Sequence, residues 1–152
     1  MNSEKFTEKS IGAISGAHEF ATKYGHGSIK IEHLLLALVS QMEGLIPKIL
    51  EKMGKDVSRF IPKIEAELNR FPKVSGGNIY MDSSLAKVLD NAEKEAKNYG
   101  DSYVSVEHLF LAIIKEKISL VESEGIFLKE FEKVLKELRG HGNLSLEEVL
   151  AI

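Results

Sequence analysis

Apolar residues recur along this chain at three- and four-residue spacing, the period of one helical face, and nowhere alternate over the length of a strand. Ile11, Ile14, Ala17, Ala21 and Tyr24 predict a first helix. Thr7 is its expected N-cap, because a hydroxyl there can accept from the free N–H groups of the first turn. Phe6 and Ile11 are placed for a hydrophobic staple, and Gly25 ends the helix at a left-handed cap position. Ile31 to Gln41 is apolar nearly all round, which predicts a second helix buried at the centre. A third runs from Ile46 to Met53, closed by Gly54. Asp56 opens a fourth that reaches about Asn69, with Pro62 marking either a kink or a later start.

The pattern then repeats. Shifted by 75 residues the chain falls on itself: Tyr24-Gly25 meets Tyr99-Gly100, and Glu32-His33-Leu34 meets Glu107-His108-Leu109. Ser10–Leu38 against Leu85–Ile113 gives nine identities in 29 positions without a gap. Two repeats are too few for a solenoid, which needs about three. The expectation is therefore an all-α fold in which two pseudo-twofold four-helix repeats pack into one globular domain. Repeat one spans about 6–70, a linker 71–82, repeat two about 83–139, and a tail 140–152. In the second repeat Ser83 or Ser84 is the expected cap of the first helix and Ser105 of the central one. The position matching Ser105 is Lys30, which offers no acceptor, so Lys30→Ser is expected to stabilise. The linker carries Pro72, Gly76 and Gly77 but also four apolar side chains, so it reads as packed down. Ser145 and Glu148 form a capping-box pattern in the tail that predicts one or two helical turns.

Composition narrows the function classes. The 152 residues hold no cysteine, which excludes disulfides, thiolate–metal sites and thiol catalysis and fits a reducing compartment. The net charge is −3, and residues 71–152 carry ten basic and 14 acidic side chains, so the acidic excess lies there. Without a basic run, nothing speaks for nucleic-acid binding. No apolar run spans a bilayer, and the first residues lack a leader's apolar core, so a cytoplasmic, membrane-independent protein is expected. No phosphate loop, dinucleotide fingerprint, nucleophile elbow or zinc-binding His-Glu-x-x-His occurs, so no catalytic residue, metal or cofactor is assigned to the chain. His33 and His108 each follow a glutamate at the start of a central helix; neighbours in a helix point about 100° apart, which makes them poor chelators and better hydrogen-bonded structural residues. Glu32 and Glu107 suit the positive ends of their helices, or serve as a symmetric pair of acidic sites for a cationic ligand. An acid/base enzyme using these Glu-His pairs is the remaining alternative.

Phe6-Thr-Glu-Lys-Ser, Tyr24-Gly-His, Ile31-Glu-His-Leu-Leu-Leu-Ala-Leu and Gly44-Leu-Ile-Pro together resemble the N-terminal domain of the Clp ATPases. Phe71-Pro-Lys-Val-Ser-Gly, Val88-Leu-Asp-Asn-Ala-Glu-Lys-Glu-Ala and Gly100-Asp-Ser-Tyr-Val-Ser-Val-Glu-His-Leu-Phe resemble the ClpB disaggregase branch in particular. The resemblance covers about Phe6 to Arg139. It implies a mobile, helical client-recognition module, monomeric in isolation, attached to a hexameric AAA+ ATPase that uses ATP and Mg and works with the DnaK system on unfolded or aggregated polypeptides. It further implies client-binding roles for Thr7, Asp101 and Glu107, and for Leu89 and His108 in a groove. Asp101 and Glu107 are expected on one exposed rim. In the ClpC branch, glutamates matching Glu32 and Glu107 bind phosphoarginine or adaptors, which is the second functional reading.

Overall fold

The computed structural model describes residues 3–140. A 3-10 turn, Ser3–Lys5, precedes four helices: α1 (Glu8–Tyr24), α2 (Ile31–Ser40), α3 (Leu45–Lys52) and α4 (Val57–Arg70). A linker leads to four more: α5 (Ser83–Asn98), α6 (Val106–Lys115), α7 (Ser119–Ser123) and α8 (Leu128–Arg139). The all-α expectation and the two-repeat arrangement both describe this order. The proposed tail helix lies outside the described residues.

The two apolar helices meet at the centre, α2 on α6, and each also packs across onto the other repeat, α1 on α6 and α2 on α5. Within each repeat the closest partners are α1 with α2 and α5 with α6. Small residues make the first of these contacts tight. Ala13, Ala17 and Ala21 line the buried side of α1, and a side chain at Gly16 would sit 3.3 Å from the Ala37 Cβ. Pro62 sits within a continuous α4. Pro62 and Ser58, whose carbonyl its missing N–H would have bonded, are both exposed.

Period-two sequence gave no strands, yet two very short ones exist. β1 (Ser28–Ile29) pairs in parallel with β2 (Tyr80–Met81), with Ile29 opposite Met81. Phe6 and Val104 form an isolated parallel bridge. The two pairings are the same feature repeated after 75 residues, since Phe6 matches Met81 and Ile29 matches Val104. Each repeat's lead-in segment therefore crosses to the other repeat. Thr7 N–H donates to the Val104 carbonyl at 3.0 Å, and its counterpart Asp82 N–H donates to the Ile29 carbonyl at 3.0 Å. Two residues cannot carry a periodic signal, so the crossing is invisible to pattern. The same symmetry identifies the true cap of α5. It is Asp82, whose carboxylate accepts from Ser84 N–H, and not Ser83 or Ser84.

Candidate functional site

Thr7, Asp101, Glu107 and His108 come from the start of α1, the α5–α6 loop and the start of α6, whereas Leu89 lies within α5. Thr7 caps α1, its hydroxyl accepting from Ser10 N–H at 3.2 Å. Ser10 Oγ then donates to the Val104 carbonyl at 2.8 Å in a buried setting, so the start of α1 and the loop before α6 are tied together.

Asp101 lies in that loop, and it is not on a rim. Its side chain is 0% exposed, with Oδ2 2.7 Å from His108 Nε2. Arg139, at the end of α8, grips both carboxylate oxygens, Nη1 to Oδ2 at 2.8 Å and Nη2 to Oδ1 at 2.6 Å. The guanidinium also lies over the Tyr99 ring, 5.0 Å from its centroid. Charge-assisted bidentate pairs of this kind are geometrically demanding and strong. The Asp101 carboxylate raises the Arg139 pKa, and burial lifts the Tyr99 hydroxyl to about 12. Glu107 is fully buried as well. The exposed acidic rim expected for Asp101 and Glu107 is therefore corrected: one carboxylate is locked by the chain's own arginine and the other is buried.

His108 is buried, and both its ring nitrogens are committed. Its Nδ1 accepts from Ser105 N–H at 2.8 Å, so the proton sits on Nε2, which donates to Asp101. A histidine here performs the back-reaching half of a capping box, the part usually given to Glu or Gln. His33 does the same in the first repeat, accepting from Lys30 N–H at 2.8 Å. Burial lowers the pKa of both rings, His33 to about 4. With no free ring nitrogen at the surface, neither Glu-His pair can serve as an acid/base couple, and among the described residues no cluster could hold a metal ion. Ser105 itself makes no side-chain cap bond. Lys30 has a partner the sequence did not suggest, Asp82, at 3.3 Å, and lies 5.9 Å from the centroid of the Phe71 ring. The expectation that Lys30→Ser stabilises is corrected on both counts.

Leu89 is 4% exposed and belongs to the apolar core. The groove leucine with little structural weight is thus a core residue. His108, assigned to the same groove, is equally inaccessible. What this region does expose is Tyr103, at 48%, carried by the loop that Arg139, His108 and the Phe6–Val104 bridge hold in place. Glu32 is partly buried, and desolvation raises its pKa; it occupies the matching place in the first repeat and does not join the Thr7 cluster. Arg139 was missed as a site residue, since a basic residue in a helix's last turn reads as ordinary dipole pairing.

The family model for the Clp repeat (R) N-terminal domain matches residues 5–124. The chain belongs to this Clp repeat family. Among its curated relatives are the ClpB chaperone of Nitratidesulfovibrio vulgaris, 39% identical over 92% of this chain, and that of Clostridium perfringens, 36% identical over 92%. The chain spans 17% of the length of each. The Hsp104 N-terminal domain from Candida albicans superposes with a TM-score of 0.82 at 21% identity, covering 95% of this chain and 98% of that one. A ClpV N-domain in complex with a VipB peptide gives 0.74 at 18% identity, covering 88% and 86%. At such identities the structures share the fold. Among the described residues no single helix is long and apolar enough to cross a membrane.

Proposed function

We propose that this Clp repeat domain is the client-engaging module of a ClpB-type disaggregase and binds unfolded polypeptide segments. The observation that carries the reading is the 39% identity to a ClpB chaperone over 92% of the chain. The peptide in the ClpV complex is support of a weaker kind, a ligand of the same chemical class on the same fold. The parent would supply the ATPase rings, with ATP and Mg, and the hexamer, and by analogy with its relatives would work with the DnaK system in the cytoplasm. In this reading the acidic residues Asp101 and Glu107 and the core residues Leu89 and His108 shape the binding face from beneath. The contacts themselves come from the half-exposed Tyr103 and its neighbours beside Thr7. The ClpC-type reading needs Glu107 open to a guanidinium, and its burial weighs against that.

The test is an anisotropy titration with one fluorescent polypeptide in a permanently unfolded and a folded form. The unfolded form should bind, weakly, and Tyr103→Ala should weaken it several-fold at unchanged domain stability. Equal affinity for both forms, or no binding to either, would refute the proposal. Saturable binding of free phosphoarginine that Glu32→Ala and Glu107→Ala each abolish would favour the ClpC-type reading.

A further inference from the structure

The two repeats hold the same buried place with different chemistry. In the second, Asp101 faces His108 and is held by Arg139. In the first, His26 stands for Asp101 and His33 for His108, with His26 Nδ1 2.7 Å from His33 Nε2. The helices that close the two repeats align Phe60 with Phe131, Ile64 with Leu135 and Leu68 with Arg139. The acid–guanidinium clamp is thus replaced by a pair of neutral imidazoles beside a leucine.

The hydrogen bonds fix where the protons sit. His33 Nδ1 accepts from Lys30 N–H, so His33 carries its proton on Nε2 and donates it to His26 Nδ1. Both rings are buried, His33 at 0% and His26 at 4% exposure. An arriving proton has two places to go. On His33 Nδ1 it meets the Lys30 N–H and breaks the helix cap. On His26 Nδ1 it meets the His33 Nε2–H, and two donors 2.7 Å apart cannot both stay. Among the described residues no carboxylate acts on either ring. The charges that act on the pair are Lys30, from the start of α2, and Lys73, from the linker, and both oppose protonation. Tyr24 of α1 stacks on His26 with a neutral ring. From α4 the Leu68 carbonyl favours the protonated form of His26 but is outweighed by burial.

The lid over this pair is the linker. The Phe71 ring lies 5.6 Å from His26 and 6.4 Å from His33, centroid to centroid. Val74 follows, its N–H bonded to the Gly25 carbonyl at 2.9 Å and its Cγ2 3.1 Å from where a side chain at Gly27 would begin.

We propose that the His26–His33 pair is an acid-sensitive latch: its protonation releases the Phe71–Val74 segment from the first repeat, with a steeper response to acid than the second repeat, where Asp101 backs His108. This does not rest on the client-binding reading. The direction follows from linkage. Both imidazoles are held neutral in the folded state, so the latch is fully closed above the ordinary histidine pKa of about 6.5 and weakens as pH falls below it. For His33 the weakening continues to about pH 4. One proton taken up on opening gives about a tenfold change in the opening equilibrium per pH unit.

Amide hydrogen exchange on the intact domain between pH 7.5 and 4.5, corrected for intrinsic rates, tests it. Val74 protection should fall by between about ten- and a hundredfold per pH unit below pH 6.5, a factor of about ten for each imidazole protonated on opening. Protection of Thr7, whose N–H bonds the Val104 carbonyl in the loop before α6, should fall less steeply, because Asp101 offsets part of the burial of His108. His26→Asn keeps an acceptor for His33 Nε2–H but leaves His33 as the pair's one proton site, and should make the Val74 profile shallower. If that variant fails to fold, the titration of the two imidazoles in the unmodified protein decides by NMR. Parallel loss at Val74 and Thr7, a flat Val74 profile in the unmodified protein, or titration near pH 6.5 with Val74 still protected would each overturn the latch.

Discussion

Asp101→Ala should be among the most damaging single substitutions in the domain. The carboxylate has no exposed surface and satisfies three donors, two from Arg139 and one from His108. Its removal strands a guanidinium whose side chain is only 7% exposed. Breaking a buried charge pair from one side typically costs about 3–5 kcal/mol, a large share of the roughly 5–15 kcal/mol by which a domain is stable. The first repeat shows how the same place is filled without charge, with His26 and Leu68 at the positions of Asp101 and Arg139. The double variant Asp101→His, Arg139→Leu should therefore recover most of the loss, because replacing a whole buried ion pair by apolar groups is often near neutral. Urea denaturation of the parent, the two single variants and the double variant gives the coupling directly. Singles costing under about 1 kcal/mol, or a double as unstable as their sum, would show that the clamp is not structural. Asp101 would then be free to meet a ligand.

Leu89→Ala should cost about 2–5 kcal/mol, as buried leucine truncations do, visible as a lowered urea midpoint; a cost near zero would restore the groove reading. Lys30→Met should lose up to about 1 kcal/mol at low ionic strength and less in high salt, since a part-exposed pair with Asp82 is screened; thermal melts at two salt concentrations measure both. Gly25 has φ of 74° at the α1 C-cap, where Gly25→Ala should cost about 1–2 kcal/mol from backbone strain alone, because the nearest atom to the new Cβ is a comfortable 3.9 Å away.

The helices, the repeat and the central pair α2 and α6 were legible because each rests on local signals: helical spacing, Thr7 and Asp56 as caps, glycines as stops. The site was legible as a list of positions but not as an arrangement. Asp101 follows a glycine in a polar loop, where a carboxylate ordinarily meets water. Its burial is decided by Arg139, 38 residues away. His33 and His108 read as hydrogen-bonded residues from their place in the helices, while the resemblance put His108 in a groove; their capping role needed the Lys30 and Ser105 N–H groups in view. The resemblance placed Leu89 in a surface groove, whereas the structure buries it in the core. The crossed lead-in strands left no trace because a two-residue pairing has no period.

The most direct measurement is to titrate an unfolded polypeptide into isotopically labelled domain and map the amide shifts. The changes should centre on Thr7, Ser102 and Tyr103, with the Arg139 guanidinium signals unmoved and still bound to Asp101 at saturation. Shifts centred on Glu32 and its neighbours, displacement of Arg139 by the polypeptide, or no shifts at all would contradict a client face built over a closed Asp101–Arg139 clamp.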